Sequence, residues 1–277
     1  MRTLDEILGR RPDVGVEVSL GSAQVDEFAA RGFTSVARIT SPAELAWLGE
    51  LYDWLFGERV QAVPGGYFDL SRPYDSDGPD LQPQLLGPEV LVPELRKTAL
   101  FQNGRRLAAV LLGAQLDAVR GWGHMIRKPA RIGAPLPWHQ DEAYWDPGFD
   151  YTALGVWLPL DPATHESGCM SFIPGSHRGE VHKHRHVGDD PTVHALFTDD
   201  VDERQAVALP LAPGGAILHH CRTLHSSGPN RSERVRRAYA NEFQVAPVKR
   251  AVPHERPWVT ESREAWEARN VRSGARA

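Results

Sequence analysis

From about residue 122 onward the sequence is a succession of short apolar runs separated by turn residues. The runs read "GHMIRKP", "YTALGVWLPL", "CMSFIP", "QAVALPL", "GAILHH" and "RRAYANEFQVAP". Segments of this length, bounded by turn signals, are typical of strands in an antiparallel sandwich or barrel. The second half of the chain is therefore predicted to be mainly β.

Helical signals are concentrated in the first 120 residues. Ser22 predicts the N-cap of a helix over 23–31 that ends at Gly32, and "FTSVARI" (33–39) predicts a strand. Residues 94–119 have the composition of a further helix. Because helices precede strands, we expect the helices to pack against one side of the β structure.

The most explicit helix signal is "SPAELAWLGELYDWLFGE". Ser41 is expected as N-cap, Pro42 as the first helical residue and Glu44 as the third, which together predict a capping box. Leucine and tyrosine side chains recur at spacings of three and four, so one face of this helix is expected to be buried.

The domain organisation predicted from these patterns is a single catalytic domain over residues 1–277. It comprises a mainly helical portion (1–120), a β core (121–250) and a polar tail (251–277). Residues 60–93 are rich in Gly, Pro and Asp and predict a long loop. Such a loop is either a binding loop or lid, or a disordered surface excursion.

Composition excludes several functional classes. The net charge of −5 argues against a nucleic-acid partner, and the arginines at 231–237 form only a local cluster. No apolar run is long enough to cross a membrane, and the charged N-terminus does not resemble a secretory signal. Cys169 and Cys221 are expected to be free thiols. The sequence thus predicts a cytoplasmic protein with a small-molecule substrate.

A candidate metal site lies in "PWHQDEAYW". His139 and Asp141 are two residues apart, so on a strand they project to the same face. A neutral imidazole and a carboxylate on one face are two thirds of the 2-His-1-carboxylate triad that binds Fe(II). His225, which follows the apolar strand "GAILHH", is the best candidate for the third ligand. Alone, the pair could equally belong to an ordinary polar loop.

A basic residue for a carboxylate ligand is available in the next apolar segment. The guanidinium of Arg236 can hold a dicarboxylic acid through two parallel hydrogen bonds. Two other interpretations remain open: either the arginines at 231–237 form a solvated turn, or Arg237 takes this role on the opposite face of the strand. Of the remaining histidines, "HKHRH" (182–186) is expected to be a solvated loop rather than a metal cluster.

The sequence resembles the phytanoyl-CoA dioxygenase family of Fe(II)/2-oxoglutarate-dependent oxygenases. The resemblance rests on "HQD" (139–141), "SGCMSFIPGSH" (167–177), "PGGAILHH" (213–220) and "LHSSGPNRSERVRRAY" (224–239). It implies an α+β chain whose core is a double-stranded β-helix, the jelly-roll fold of cupins.

The same resemblance implies His139, Asp141 and His225 as iron ligands and Arg236 as the partner of the distal carboxylate of 2-oxoglutarate. Trp157, Lys97 and His124 correspond to family positions near this cosubstrate, with O2 as the oxidant. Because related halogenases lack the carboxylate ligand, the presence of Asp141 argues for an oxidation without halide. Trp157 could also be an ordinary core aromatic.

The substrate is expected to be a small molecule of the kind modified in bacterial natural-product biosynthesis. Loop 60–93, the segment after Asp141 and the insertion 178–205 are expected to wall the pocket, with Tyr67, Tyr144 and Trp145 as candidate contacts. An aromatic lining of this kind suits a sugar or aminocyclitol, which could be hydroxylated or oxidatively cyclised, as well as an apolar polyketide or terpene. The aromatic residues could instead stabilise the loops.

Two other functional classes are compatible with the metal-site pattern. A cupin-like hydrolase or isomerase could bind Zn(II) through the same three side chains. A non-catalytic binding protein could also use a jelly-roll, since a fold does not fix a function.

Overall fold

Two antiparallel β-sheets pack face to face, and helices cover the outer side of the larger sheet. The computed structural model describes residues 2–13 and 15–272. Its strands are β1 (Phe33–Val36), β2 (Tyr67–Asp69), β3 (Pro83–Leu86), β4 (Arg120–Lys128), β5 (Leu136–His139), β6 (Phe149–Asp150), β7 (Ala153–Pro159), β8 (Met170–Phe172), β9 (Arg185–His186), β10 (Leu196–Phe197), β11 (Val207–Leu209), β12 (Ala216–His220), β13 (His225–Ser227), β14 (Arg236–Gln244) and β15 (Val248–Lys249).

The larger sheet has the strand order β1-β12-β7-β14-β4-β3-β2, and the smaller one has the order β11-β8-β13-β5. The α-helices are α1 (Leu4–Leu8), α2 (Ser22–Arg31), α3 (Pro42–Gly57), α4 (Pro88–Leu91), α5 (Ala99–Leu111) and α6 (Pro257–Arg272). This is the layout of a double-stranded β-helix, and the predicted fold class is confirmed. In the part of the chain that is described, no helix is both long and apolar enough to span a membrane.

Strand β14 shows how the larger sheet separates two cores. Its residues alternate between the sheet faces, as the period of a strand requires. Tyr239 and Phe243 pack into the core under the helices. Ala238 and Ala240 pack between the two sheets, together with Trp157 of β7. The helices thus close one side of the large sheet, as predicted, and leave its other side to face the smaller sheet.

The helix ends are mostly as predicted, with two differences. Gly21 rather than Ser22 is the N-cap of α2, which does end at Gly32 in the left-handed conformation. Ser41 caps α3 by accepting the Glu44 amide hydrogen, but the reciprocal half of the capping box is absent. The Glu44 carboxylate instead accepts the backbone amides of Ala99 and Leu100, at 2.8 and 3.1 Å, at the start of α5. Tertiary packing therefore makes Glu44 a hydrogen-bond acceptor for the N-terminus of α5 rather than for its own helix.

The predicted strand 33–39 is shorter than expected, because β1 pairs with β12 only from Phe33 to Val36. The predicted loop 60–93 is partly ordered as β2, β3 and α4. Strand β3 pairs with β4 and extends the large sheet towards its edge. Pro83 is the first residue of β3, a position where a strand tolerates proline, so turn-like composition concealed the last two strands at this end of the sheet.

The polar tail expected over 251–277 contains α6 as far as the structure describes it, and residues 273–277 lie outside the described residues. Trp258 is buried at the start of this helix, and its indole nitrogen donates to the carbonyl oxygen of Ala143 at 2.9 Å. Arg269, also buried, donates to the Asp75 carboxylate and to the carbonyl oxygen of Gly65. A few anchoring side chains thus hold a helix whose overall composition is polar.

Candidate active site

The three predicted metal ligands meet on the smaller sheet. His139 ends β5, and His225 begins the neighbouring strand β13 directly opposite it in register. Asp141 begins a 3-10 turn (Asp141–Tyr144) immediately after β5. One oxygen of Asp141 lies 3.5 Å from Nε2 of His225 and 4.0 Å from Nε2 of His139. The ligand atoms of all three residues fall within 4.8 Å of one another.

The protonation states of the two imidazoles suit metal binding. Nδ1 of His139 donates to the Pro137 carbonyl oxygen at 2.8 Å, and Nδ1 of His225 donates to that of Thr223 at 2.9 Å. These hydrogen bonds fix the tautomer and leave each Nε2 lone pair directed at the site. Burial lowers the pKa of His139 to about 3 and that of His225 to about 4, so both rings are neutral at physiological pH.

Asp141 carries the negative charge of the site. Burial would raise the pKa of Asp141, but the surrounding histidines, His225 first, outweigh burial and lower it. Two neutral nitrogens and one carboxylate oxygen on one side of an open cavity form a donor set that fits Fe(II) and leaves positions free for other ligands.

His219 is a neighbour of the site that the sequence did not identify. Its Nε2 donates to the second oxygen of Asp141 at 3.0 Å. The His219 side chain is buried on β12, which pairs with β7, the strand that carries Trp157. This contact fixes the rotation of the Asp141 carboxylate, so that its other oxygen faces His139 and His225. His219 and His220 are consecutive on β12 and so face opposite sides of it, and the sequence does not show which carboxylate His219 meets.

A cationic pocket lies beside the metal ligands. Arg236 is 2% exposed, lines the cavity and lies with its guanidinium 5.3 Å from the centre of the Trp157 ring. Its Nε has no hydrogen-bond partner among the described residues. Burial lowers the pKa of Arg236 to about 10, which still leaves it charged at neutral pH. A buried guanidinium without a carboxylate partner fits a ligand that brings its own carboxylate.

The structure also decides between the two arginines. Arg237 points to the opposite face of β14, where it donates to Asp161 at 2.8 and 2.9 Å and to Asp53 at 2.8 Å. Lys128, which the sequence analysis missed, lies opposite Arg236 on β4 and is fully buried. Its Nζ donates to the Ser227 hydroxyl at 2.8 Å. Lys128 is thus the strand neighbour of Arg236, but Arg236 is the basic side chain that lines the cavity.

The other predicted cosubstrate residues divide into two groups. Trp157 and His124 line the cavity, on β7 and β4, where they flank Ala240 of β14 on either side. Lys97 does not: it lies exposed in the 3-10 turn Pro93–Lys97, away from the cavity. The resemblance placed Lys97 near the cosubstrate through a segment with gaps, and Lys128 is the lysine that the fold brings beside Arg236.

The predicted substrate contacts also divide. Tyr144 and Trp145 line the cavity beyond the metal ligands. Tyr67 packs instead under the helices against Phe56, with ring centroids 5.8 Å apart, and does not line the cavity. The insertion 178–205 contributes His194 to the cavity wall. Its ring stacks on that of Tyr144, with the ring centroids 5.4 Å apart. No sequence pattern marks His194 as a cavity residue.

The "HKHRH" segment is not a solvated loop. His184 and His186 are 1% and 3% exposed. His184 accepts the backbone amide hydrogen of Gln140, and His186 contacts the Trp258 carbonyl oxygen at 3.3 Å. These rings support the turn that carries Asp141, and they form no metal-binding group within the described residues.

A buried ion cluster holds the same turn from the other side. Glu142 is fully buried and accepts hydrogen bonds from Arg222 at 2.6 and 3.2 Å and from Arg256 at 2.8 Å. Arg256 also donates to the Glu142 carbonyl oxygen. Burial alone would raise the pKa of Glu142, but the two arginines lower it. The residue next to Asp141 is thus tied to the segment that precedes α6.

A double-stranded β-helix with two histidines and one carboxylate on its inner face defines the class of non-haem iron oxygenases. Residues 90–238 match the family model described as phytanoyl-CoA dioxygenase (PhyH). The chain belongs to the phytanoyl-CoA dioxygenase family.

Individual relatives agree with this assignment. The crystal structure of EvdO2 from Micromonospora carbonacea var. aurantiaca, complexed with 2-oxoglutarate, is 42% identical, covers 88% of this chain and 99% of that chain, and superposes with a TM-score of 0.77. A probable alpha-ketoglutarate-dependent hypophosphite dioxygenase from Stutzerimonas stutzeri is 40% identical over 105 residues, 36% of each chain. The carbocyclase SnoK from nogalamycin biosynthesis, at 21% identity, 85% and 90% coverage of the two chains and a TM-score of 0.66, shares the fold.

Among curated sequences, Phytanoyl-CoA dioxygenase domain-containing protein 1 of Bos taurus is 33% identical over 144 residues, 49% of this chain and 47% of that protein. The chain therefore spans between about a third and a half of the length of the first curated relatives that it matches.

Proposed function

We propose that this protein is an Fe(II)/2-oxoglutarate-dependent dioxygenase that oxidises a C–H bond of a small molecule. His139, Asp141 and His225 would hold the metal, and Arg236 would pair with the distal carboxylate of 2-oxoglutarate. Bound iron, with 2-oxoglutarate and O2, supplies oxidation of a substrate C–H bond coupled to formation of succinate and CO2. The protein's own residues orient the ligands and exclude water from the pocket.

The observation that carries the proposal is the combination of the triad with the buried, unpaired Arg236 in one cavity. A hydrolase or isomerase that used Zn(II) on the same three residues would have no use for a dicarboxylate pocket. A non-catalytic binding protein would not need the open metal positions. Both alternatives are therefore disfavoured, as is also expected from the family.

We also propose a role in the biosynthesis of a natural product. SnoK and the epimerase SnoN, which share this fold, are both described as enzymes from nogalamycin biosynthesis. EvdO2 has the same fold and was solved with 2-oxoglutarate bound.

We propose that the protein acts in a reducing compartment such as the cytoplasm. The free, buried thiols of Cys169 and Cys221 support this location.

The test is anaerobic reconstitution with Fe(II) and 2-oxoglutarate, followed by visible absorption spectroscopy. A metal-to-ligand charge-transfer band that requires both components is the expected result, and succinate should form when air is admitted. Folded protein that shows neither the band nor succinate would refute the proposal. A band that is also present in Arg236→Gln at the same 2-oxoglutarate concentration would refute the role of Arg236.

A further inference from the structure

Glu242 is a buried carboxylate in the cavity wall that the proposed chemistry does not use. It lies on β14, on the same face of the strand as Arg236 and Ala240, and all three line the cavity. Glu242 lies six positions after Arg236 along the strand. At roughly 3.3 Å per residue, the two backbone positions are about 20 Å apart. The cavity therefore has a cationic end at Arg236 and an acidic end at Glu242.

The side chain of Glu242 is not satisfied by the protein. The residue is 5% exposed, and its Oε2 is buried without a hydrogen-bond partner in the described part of the chain. No arginine, lysine or histidine among the described residues forms an ion pair with it. A buried carboxylate oxygen without a partner costs free energy, so a side chain in this position fits a ligand that supplies the hydrogen bond.

The position of Glu242 is next to the metal ligands. His219, Gly155 and Glu242 lie side by side on β12, β7 and β14, and His219 contacts Asp141. A Cβ atom at Gly155 would lie 2.6 Å from the His219 ring and 3.2 Å from Oε1 of Glu242. The glycine thus leaves room for both side chains to extend over it. A group bound by Glu242 would therefore lie beside the Asp141 side of the site.

An aromatic surface adjoins the carboxylate. Trp122 of β4 pairs directly with Glu242 of β14, so the two side chains lie on the same face of the sheet. It lines the cavity and is 36% exposed, so it lies at the rim of the opening. An acceptor with up to four lone-pair directions next to an indole face suits a ring that has hydrogen-bond donors on its edge and C–H groups on its face.

We propose that Glu242 is a substrate-binding residue that accepts hydrogen bonds from the hydroxyl or amino groups of a sugar or cyclitol ring packed against Trp122. This inference rests on the proposed oxygenase function and specifies its substrate class. 2-Oxoglutarate is not the proposed partner of Glu242, because its distal carboxylate is assigned to Arg236 at the other end of the cavity.

The test measures binding rather than turnover. The protein is loaded with Zn(II) and 2-oxoglutarate and titrated with maltotriose, myo-inositol and kanamycin, with testosterone as an apolar comparison, by ligand-observed NMR. We expect at least one of the three polar probes to bind. Glu242→Met should weaken that binding about tenfold or more, since it removes the buried hydrogen bonds of the carboxyl group while keeping the side-chain volume. Loss with kanamycin alone identifies an ammonium donor, and loss with a neutral probe identifies hydroxyl donors.

The matched control is Gln244→Met, the same new residue two positions along β14 and outside the cavity, which should bind the probes like the wild type. The inference is overturned if none of the polar probes binds to the wild type, or if Glu242→Met binds them equally well. The Fe(II)–2-oxoglutarate absorption band, measured separately, should persist in Glu242→Met. Its absence from the wild type would instead refute the oxygenase function, so the two failures are distinguishable.

Discussion

Nε2 of His219 lies 3.0 Å from the oxygen of Asp141 that does not face the two histidine ligands. The carboxylate is therefore held on both sides: by His219 on β12 of the large sheet, and by its own turn after β5 of the small sheet. Because the proposed metal ligands lie on or directly beside one sheet and His219 lies on the other, the geometry of the site depends on how the two sheets pack.

Replacing His219 should weaken metal binding without unfolding the protein. His219→Phe keeps a ring in the same space but removes the hydrogen bond, and loss of such an outer contact costs roughly 10–100-fold in metal affinity. Competition titration with a coloured chelator measures the change for Fe(II) or Co(II). His177→Ala, a histidine outside the cavity, is the control, and equal affinity in the two variants would contradict the assigned contact.

Substitution of the two neighbouring arginines should have separate effects. Arg236→Lys loses the planar pair of donors, so the affinity for 2-oxoglutarate should fall by about tenfold or more while metal affinity is retained. Arg237→Lys should leave 2-oxoglutarate binding unchanged, because Arg237 pairs with Asp161 and Asp53 on the other side of the sheet. Anaerobic titration of the charge-transfer band measures both, and a larger loss in the Arg237 variant would reverse the assignment.

The buried Glu142 cluster should make a large contribution to stability. Glu142→Gln leaves Arg222 and Arg256 without a compensating charge, and removing one partner of a buried pair costs about 3–5 kcal/mol in the free energy of unfolding. Urea denaturation at pH 7 measures this. Glu233→Gln, which removes the partner of Arg131 at an exposed site, should cost no more than about 1 kcal/mol.

The same cluster predicts a dependence of stability on pH. The folded protein holds the pKa of Glu142 below its ordinary value of 4.5, so the unfolded chain takes up the proton first as the pH falls. The stabilisation is therefore complete well above pH 4.5 and is lost as the pH falls through the lower, folded pKa. Denaturation series over acidic pH should show a smaller pH-dependent loss in Glu142→Gln than in the wild type; an identical loss would show that other carboxyls account for it.

The C-terminal helix should be an integral part of the structure. Trp258→Ala removes a buried ring that donates to Ala143, and it should lower the free energy of unfolding by about 3–5 kcal/mol. Val271→Ala, at a side chain that is 81% exposed on the same helix, should change it by less than about 0.5 kcal/mol. Similar melting curves for Trp258→Ala and the wild type would mean that α6 does not stabilise the domain.

Features with a local origin could be predicted from the sequence. The alternation that gives β14, the left-handed Gly32 that ends α2 and the Ser41 cap each depend on residues a few positions apart. The spacing of His139 and Asp141 belongs to this group, because two residues that are two positions apart need no tertiary structure to reach one metal ion. His225 was the candidate third ligand because it follows an apolar strand, and the strand register places it opposite His139.

Features that join distant segments could not be predicted in this way. Glu44 fits a capping box in its own helix, yet it binds the first amides of α5 because burial places those unpaired donors next to it. The sequence does not distinguish Lys97 from Lys128 as a neighbour of Arg236. Only the pairing of β4 with β14 places Lys128 beside Arg236.

The sequence alone thus predicted most strands of the β core, several helix ends and the candidate metal-ligand pair, since these follow from local periodicity and spacing. Tertiary structure decided that Arg236 rather than Arg237 faces the cavity, that His219 holds Asp141, and that Glu242 is left without a partner. The physical reason is that hydrogen bonding and desolvation of a buried charged group depend on which neighbours the packed sheets bring to it.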